Sequence, residues 1–136
     1  MKLTELLKEF ENIDLPLGKF AVFGSGPLTA HEIRETNDID IIVLPATYDQ
    51  LKNEGWKEKI WPSGSKYLAK GNFEVCKEWI CNTYNPDIKK LIENAEIING
   101  VPFVKLEEVK SWKQAFGREK DLKDVELIDQ FLAEQI

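Results

Sequence analysis

The stretch from Phe20 to Leu44, FAVFGSGPLTAHEIRETNDIDIIVL, carries the reading on which the fold turns. Its first four residues are an apolar run that stops at Gly24-Ser25-Gly26-Pro27, the pattern of a buried strand entering a tight turn. Thr29 and Glu32 have capping-box spacing, which predicts a short helix over 28–35. Ile39 and Ile41–Leu44 then read as a second buried strand, stopped by Pro45. Upstream, Leu3, Leu6, Leu7 and Phe10 recur at helical spacing, so the chain opens on an amphipathic helix over 3–10. Downstream, 46–54 reads as a helix ending at Gly55. Lys57–Trp61, Lys66–Ala69 and Phe73–Trp79 read as strands parted by the turn compositions PSGS and KGN. Pro86–Asn94 is expected to be helical with Asn85 as its cap. Asn99-Gly100 joins Ile97–Ile98 and Val101–Val104 as a hairpin. Two helices follow, near 106–116 and 119–134, parted at Gly117; Leu122, Val125, Ile128 and Leu132 form the apolar stripe of the second. The predicted fold class is α+β or α/β: a small mixed sheet flanked by helices, with C-terminal helices beyond it.

The chemistry of this stretch lies in its polar residues. Residues two apart on a strand face the same way, so Asp38 and Asp40 project together while Ile39 and Ile41 enter the core. Two neighbouring carboxylates repel, and a divalent cation relieves them. Magnesium suits such a pair, since it is commonly shared between carboxylates and substrate phosphates. The Gly24-Ser25-Gly26 turn is the complement: its amides can form an anion nest, and the Ser25 hydroxyl adds a donor. Metal-binding acids beside a phosphate-holding turn fit phosphoryl or nucleotidyl transfer, where the protein positions groups and neutralises charge. Glu74, between Phe73 and Val75 on a later strand, is the first candidate for a third carboxylate, and Glu78 is the second.

The order apolar strand, Gly24-Ser25, a dozen residues, then Asp38-Ile39-Asp40-Ile41 resembles the signature of the nucleotidyltransferase superfamily. That superfamily includes DNA polymerase beta, the aminoglycoside and lincosamide nucleotidyltransferases and minimal toxin–antitoxin enzymes. The resemblance implies magnesium-dependent transfer of a nucleoside monophosphate from a nucleoside triphosphate to a hydroxyl acceptor. On it, Gly24 and Ser25 would hold the triphosphate, Asp38 and Asp40 would bind two magnesium ions, and Glu74 would be the third acid. The segment Arg118-Glu119-Lys120-Asp121-Leu122-Lys123-Asp124 is similar to one found in abortive-infection-type members, and it implies that Lys120 reaches the nucleotide. Pro27 departs from the longer polar helix start common after the turn. The alternative reading is a nucleotidyltransferase-fold module that binds nucleotide or protein without catalysis.

Composition bounds the rest. The 136 residues fit a single domain, 1–136, with a core over about 18–104 and a helical tail over about 105–136. No apolar stretch approaches the ~18–20 residues of a membrane span, and the first residues read as a helix rather than a leader. Cys76 and Cys81 make neither a disulfide framework nor a zinc motif, so a cytoplasmic, reducing location is expected. The net charge of −6 argues against a long nucleic-acid track. That charge is unevenly spread, since residues 119–136 hold six acids against two lysines, whereas 50–80 hold six lysines against four acids. The acceptor stays open between a small molecule, a protein and an RNA end. Without room for an acceptor domain, its recognition is expected from the tail, a protein partner or a second copy of the chain.

Overall fold

Three apolar strands form the centre of the molecule and carry the polar residues of interest. In a computed structural model, which describes residues 1–135, β1 (Phe20–Phe23) is buried at every position. It pairs antiparallel with β2 (Ile39–Val43), setting Phe23 opposite Asp40. Further strands are β3 (Lys57–Ile60), β4 (Lys66–Lys70), β5 (Phe73–Cys76), β6 (Glu96–Ile98) and β7 (Val101–Phe103). They join one mixed seven-stranded sheet in the order β3-β4-β5-β2-β1-β7-β6. β2 runs parallel to β5, with Asp40 opposite Glu74, and β1 runs parallel to β7. Central strands covered on both faces read as continuous apolar runs, because each side chain meets a core. Within β1, β2 and β5 only Asp40 and Glu74 break the burial, and they are register partners.

Helices cover both faces. On one, α1 (Leu3–Glu9) and α3 (Pro45–Asn53) bring Leu6, Tyr48 and Leu51 against Val22, Ile41 and Val75. On the other, Leu28 of α2 (Gly26–Ala30), Leu91 and Ile92 of α4 (Ile88–Glu93), Val109 of α5 (Leu106–Phe116) and Ile128 of α6 (Glu119–Glu134) pack on Ala21, Phe23 and Ile42. Asp40 and Glu74 are thus placed on the sheet face shared with α2, α5 and α6.

Several boundaries differ from the expected ones for local reasons. The helix predicted over 28–35 is α2 and ends at Ala30. With Pro27 in its first turn it starts two residues early, at Gly26, and Glu32 takes φ +57° as Glu32 N donates to Thr29 O and Ile33 N to Leu28 O. Those bonds make a Schellman end with glutamate in the place usual for glycine, so no breaker marks it in the sequence. The helix expected over 86–94 begins at Ile88 because Asp87, not Asn85, caps it by accepting from Lys90 N. β5 ends at Cys76 rather than at Trp79. Leu122 is exposed, and Asp121 and Asp124 are buried beside Val125 and Ile128 on α6.

Candidate functional site

The turn after β1 is fixed by steric demand. Gly24 has φ +62°, and a side chain there would press on the Asp40 carboxylate, its Cβ within 3.0 Å of Asp40 Cγ. A Cβ at Gly26 would collide with Val22 Cγ1. Glycine lets the turn's backbone lie directly against the Asp40 carboxylate of β2 at Gly24 and against Val22 of β1 at Gly26. Ser25 is half-buried, and its Oγ accepts from Arg34 Nη2 at 2.7 Å.

Asp40 and Glu74 lie side by side across β2 and β5 and share a hydrogen bond. Burial, followed by repulsion from and hydrogen bonding with Glu74, pushes the Asp40 carboxyl up to about 8. Glu74 is also raised by burial, with its hydrogen bond to Asp40 acting the other way and the Asp38 charge adding to the rise. The two acids therefore hold a proton between them near neutrality. Asp38 sits exposed at the threshold of β2 and couples electrostatically to both. Among the described residues, no three His, Cys, Asp or Glu side chains are gathered closely enough to enclose a metal ion. A paired, proton-sharing carboxylate site with a third acid at its edge suits a cation that keeps several ligands from water or phosphate.

These acids line a cavity of about 1150 Å³. Trp61, Trp79, Trp112, Phe116 and Arg118 share the lining with them. Trp61 is stacked on Tyr67 at 4.0 Å between centroids. Cys76 of β5 also lines the cavity, its thiol pushed up to about 12 by burial and by Asp40 and Glu74, so it is held as the inert neutral form.

No protein-family model matches the chain, and no curated protein matches it either. Among solved structures, ANT(2")-Ia, an aminoglycoside nucleotidyltransferase described in complex with adenylyl-2"-tobramycin, is similar with a TM-score of 0.50. The match has 15% sequence identity and covers 98% of this chain and 89% of that one. The fold is nucleotidyltransferase-like.

On this nucleotidyltransferase-like frame, Asp38, Asp40 and Glu74 fall together in one cavity, and Gly24 packs behind Asp40. Glu78 reaches the same cavity from the exposed chain after β5. Lys120 does not join them: it is exposed in the first turn of α6, outside the lining. Other cations serve the site instead: Lys113 of α5, whose charge lowers Asp40, Lys59 of β3, whose charge lowers Glu74, and Lys66, Lys77 and Arg118, which line the cavity. Lys113 is buried, 2.8 Å from Asp124 and 3.6 Å from Asp121. Its sequence signal is a lysine four residues after Val109, on the apolar stripe of α5. Arg34 has no comparable signal, because its partner Asp124 is 90 residues away.

Proposed function

We propose that the protein transfers a nucleoside monophosphate from a nucleoside triphosphate to a hydroxyl acceptor, releasing pyrophosphate. The observation that carries the reading is the Asp40–Glu74 pair, register partners that line one cavity with Asp38, set against the turn at Gly24 in a nucleotidyltransferase-like fold. Asp38, Asp40 and Glu74 would hold magnesium, which when bound supplies charge neutralisation at the α-phosphate and leaving pyrophosphate. The turn's amides and the Ser25 hydroxyl would orient the β- and γ-phosphates, and Arg118, which lines the cavity, would meet their charge. Glu74, whose carboxyl is raised by burial, is suited to take the acceptor's proton as its oxygen bonds to the α-phosphorus and the bond to pyrophosphate breaks. The cavity has room for a nucleotide and a small acceptor together. The adenylylated tobramycin in the ANT(2")-Ia structure supports a small-molecule acceptor as the first class to try.

The test incubates the protein with each α-labelled nucleoside triphosphate, magnesium and a cell extract, following pyrophosphate release and the labelled product. Asp38→Asn and Asp40→Asn should each lower turnover by at least about 10²-fold. Asp40→Asn should leave the metal-free protein at least as stable, since burial beside Glu74 already holds the Asp40 carboxyl largely neutral and asparagine keeps a neutral side chain there. Full magnesium-dependent turnover in both variants would overturn the reading.

A further inference from the structure

Arg34 stands in the loop between α2 and β2, yet its side chain is held by the far end of the chain. Nε donates to Asp124 Oδ1 at 2.8 Å, and Nη2 donates to Asp124 Oδ2 at 2.8 Å and to Ser25 Oγ at 2.7 Å. Nη1 donates to Glu35 O at 3.0 Å. A guanidinium has five N–H groups, so these four bonds leave it little capacity for a ligand of its own. Asp124 is fixed in turn: it is 6% exposed and takes a second cation, Lys113, at 2.8 Å. Planar fork-to-carboxylate geometry aims the remaining Nη2 hydrogen at a defined point, and that point is the Ser25 oxygen.

We infer that Arg34 and Asp124 form a clamp that sets the Ser25 hydroxyl as a directed donor to phosphate. This rests on the nucleotidyl-transfer reading and adds positioning residues to it. Arginine cannot accept a hydrogen bond, so the hydroxyl that receives one from Arg34 must turn its own proton elsewhere. A phosphate held by the amides of the Gly24-Ser25 turn is the acceptor that the proton would meet. Asp124 positions Arg34, Arg34 positions Ser25, and only Ser25 meets the ligand. The last helix is thereby tied to the phosphate turn.

A double-mutant cycle tests this, reading the dissociation constants of magnesium–ATP and magnesium–GTP by calorimetry and KM separately from kcat, with the unfolding midpoint taken for every variant. Ser25→Ala and Arg34→Ala should each weaken binding about tenfold, and the double variant should lose no more than either single one. Arg34→Lys, which reaches Ser25 without the fork, should recover part of the affinity if Arg34→Ala proves too unstable to measure. Multiplicative losses in the double variant, or unchanged affinity in the Arg34 variants while Ser25→Ala weakens binding, would overturn the clamp alone. A wild-type protein that binds no nucleoside triphosphate would overturn the transfer reading together with it.

Discussion

Gly24 answers to two constraints at once, a backbone at φ +62° and the carboxylate of Asp40 where a side chain would go. Gly71 has a similar φ of +58°, but nothing lies within 4 Å of the place its side chain would take. Alanine at either site costs backbone strain of about 1 kcal/mol, whereas at Gly24 it also displaces Asp40. Gly24→Ala is expected to lower stability by about 2–3 kcal/mol and nucleotide turnover severely. Gly71→Ala should lose about 1 kcal/mol and keep its turnover. Denaturant midpoints and pyrophosphate release on the two variants measure the difference. Equal losses in both quantities would mean that Gly24 serves the turn alone. At this scale the sequence was informative wherever the relevant neighbours are close in the chain. Gly24, Ser25, Asp38 and Asp40 lie within seventeen residues, and strand alternation alone predicts which way the acids face. Glu74 was legible for the same reason, as an acid between two apolar residues of a strand, but its pairing with Asp40 depends on a parallel register that no local pattern encodes.

Helices α5 and α6 are joined by a buried ionic cluster as well as by apolar contact. Lys113, 3% exposed, sits between Asp121 and Asp124, and Arg118 and Arg34 hold the outer oxygens of those acids. Burial by itself would raise both carboxyls, but Arg118 and Lys113 at Asp121, and Arg34 and Lys113 at Asp124, bring them below the usual aspartate range. Carboxyls lowered in the folded state add stability that is present above their unfolded value near 3.9 and is lost as pH falls through their folded values. Lys113→Met leaves two buried acids with one cation each. It should cost about 2–4 kcal/mol at pH 7, and the deficit should shrink as pH drops below about 4 and the acids protonate. Urea unfolding of wild type and variant between pH 3 and 7 follows it; a deficit that stays constant with pH would show that Lys113 contributes only packing. This cluster also explains why the apolar stripe was read imperfectly. Periodicity places Val125 and Ile128 inward correctly, but it assigns Leu122 to the stripe and leaves Asp121 and Asp124 outside, because it cannot see cations arriving from α5 and from Arg34.

Across the whole molecule the candidate site draws on both ends of the chain. The acids come from β2, its threshold and β5, while Trp112, Phe116 and Arg118 line the same cavity from α5 and the chain just beyond it. The acidic total of −6 is then no barrier to a phosphate ligand, because Lys66, Lys77 and Arg118 line the cavity beside the acids. A ligand that touches both halves stabilises the fold as a unit, since it binds the assembled site and not the unfolded chain. At about 100 times its dissociation constant, a magnesium–nucleoside triphosphate should add about 2.7 kcal/mol, or roughly 9 °C in Tm for a chain of this size. Hydrogen exchange should slow in the 24–34 segment and in α6 together, because Arg34 and Asp124 link them. The thermal shift requires both magnesium and nucleotide if the carboxylates hold the cation that holds the phosphates. A shift obtained in full with chelator present, or protection confined to residues 24–40, would mean that the tail helices cover the sheet without taking part in the site.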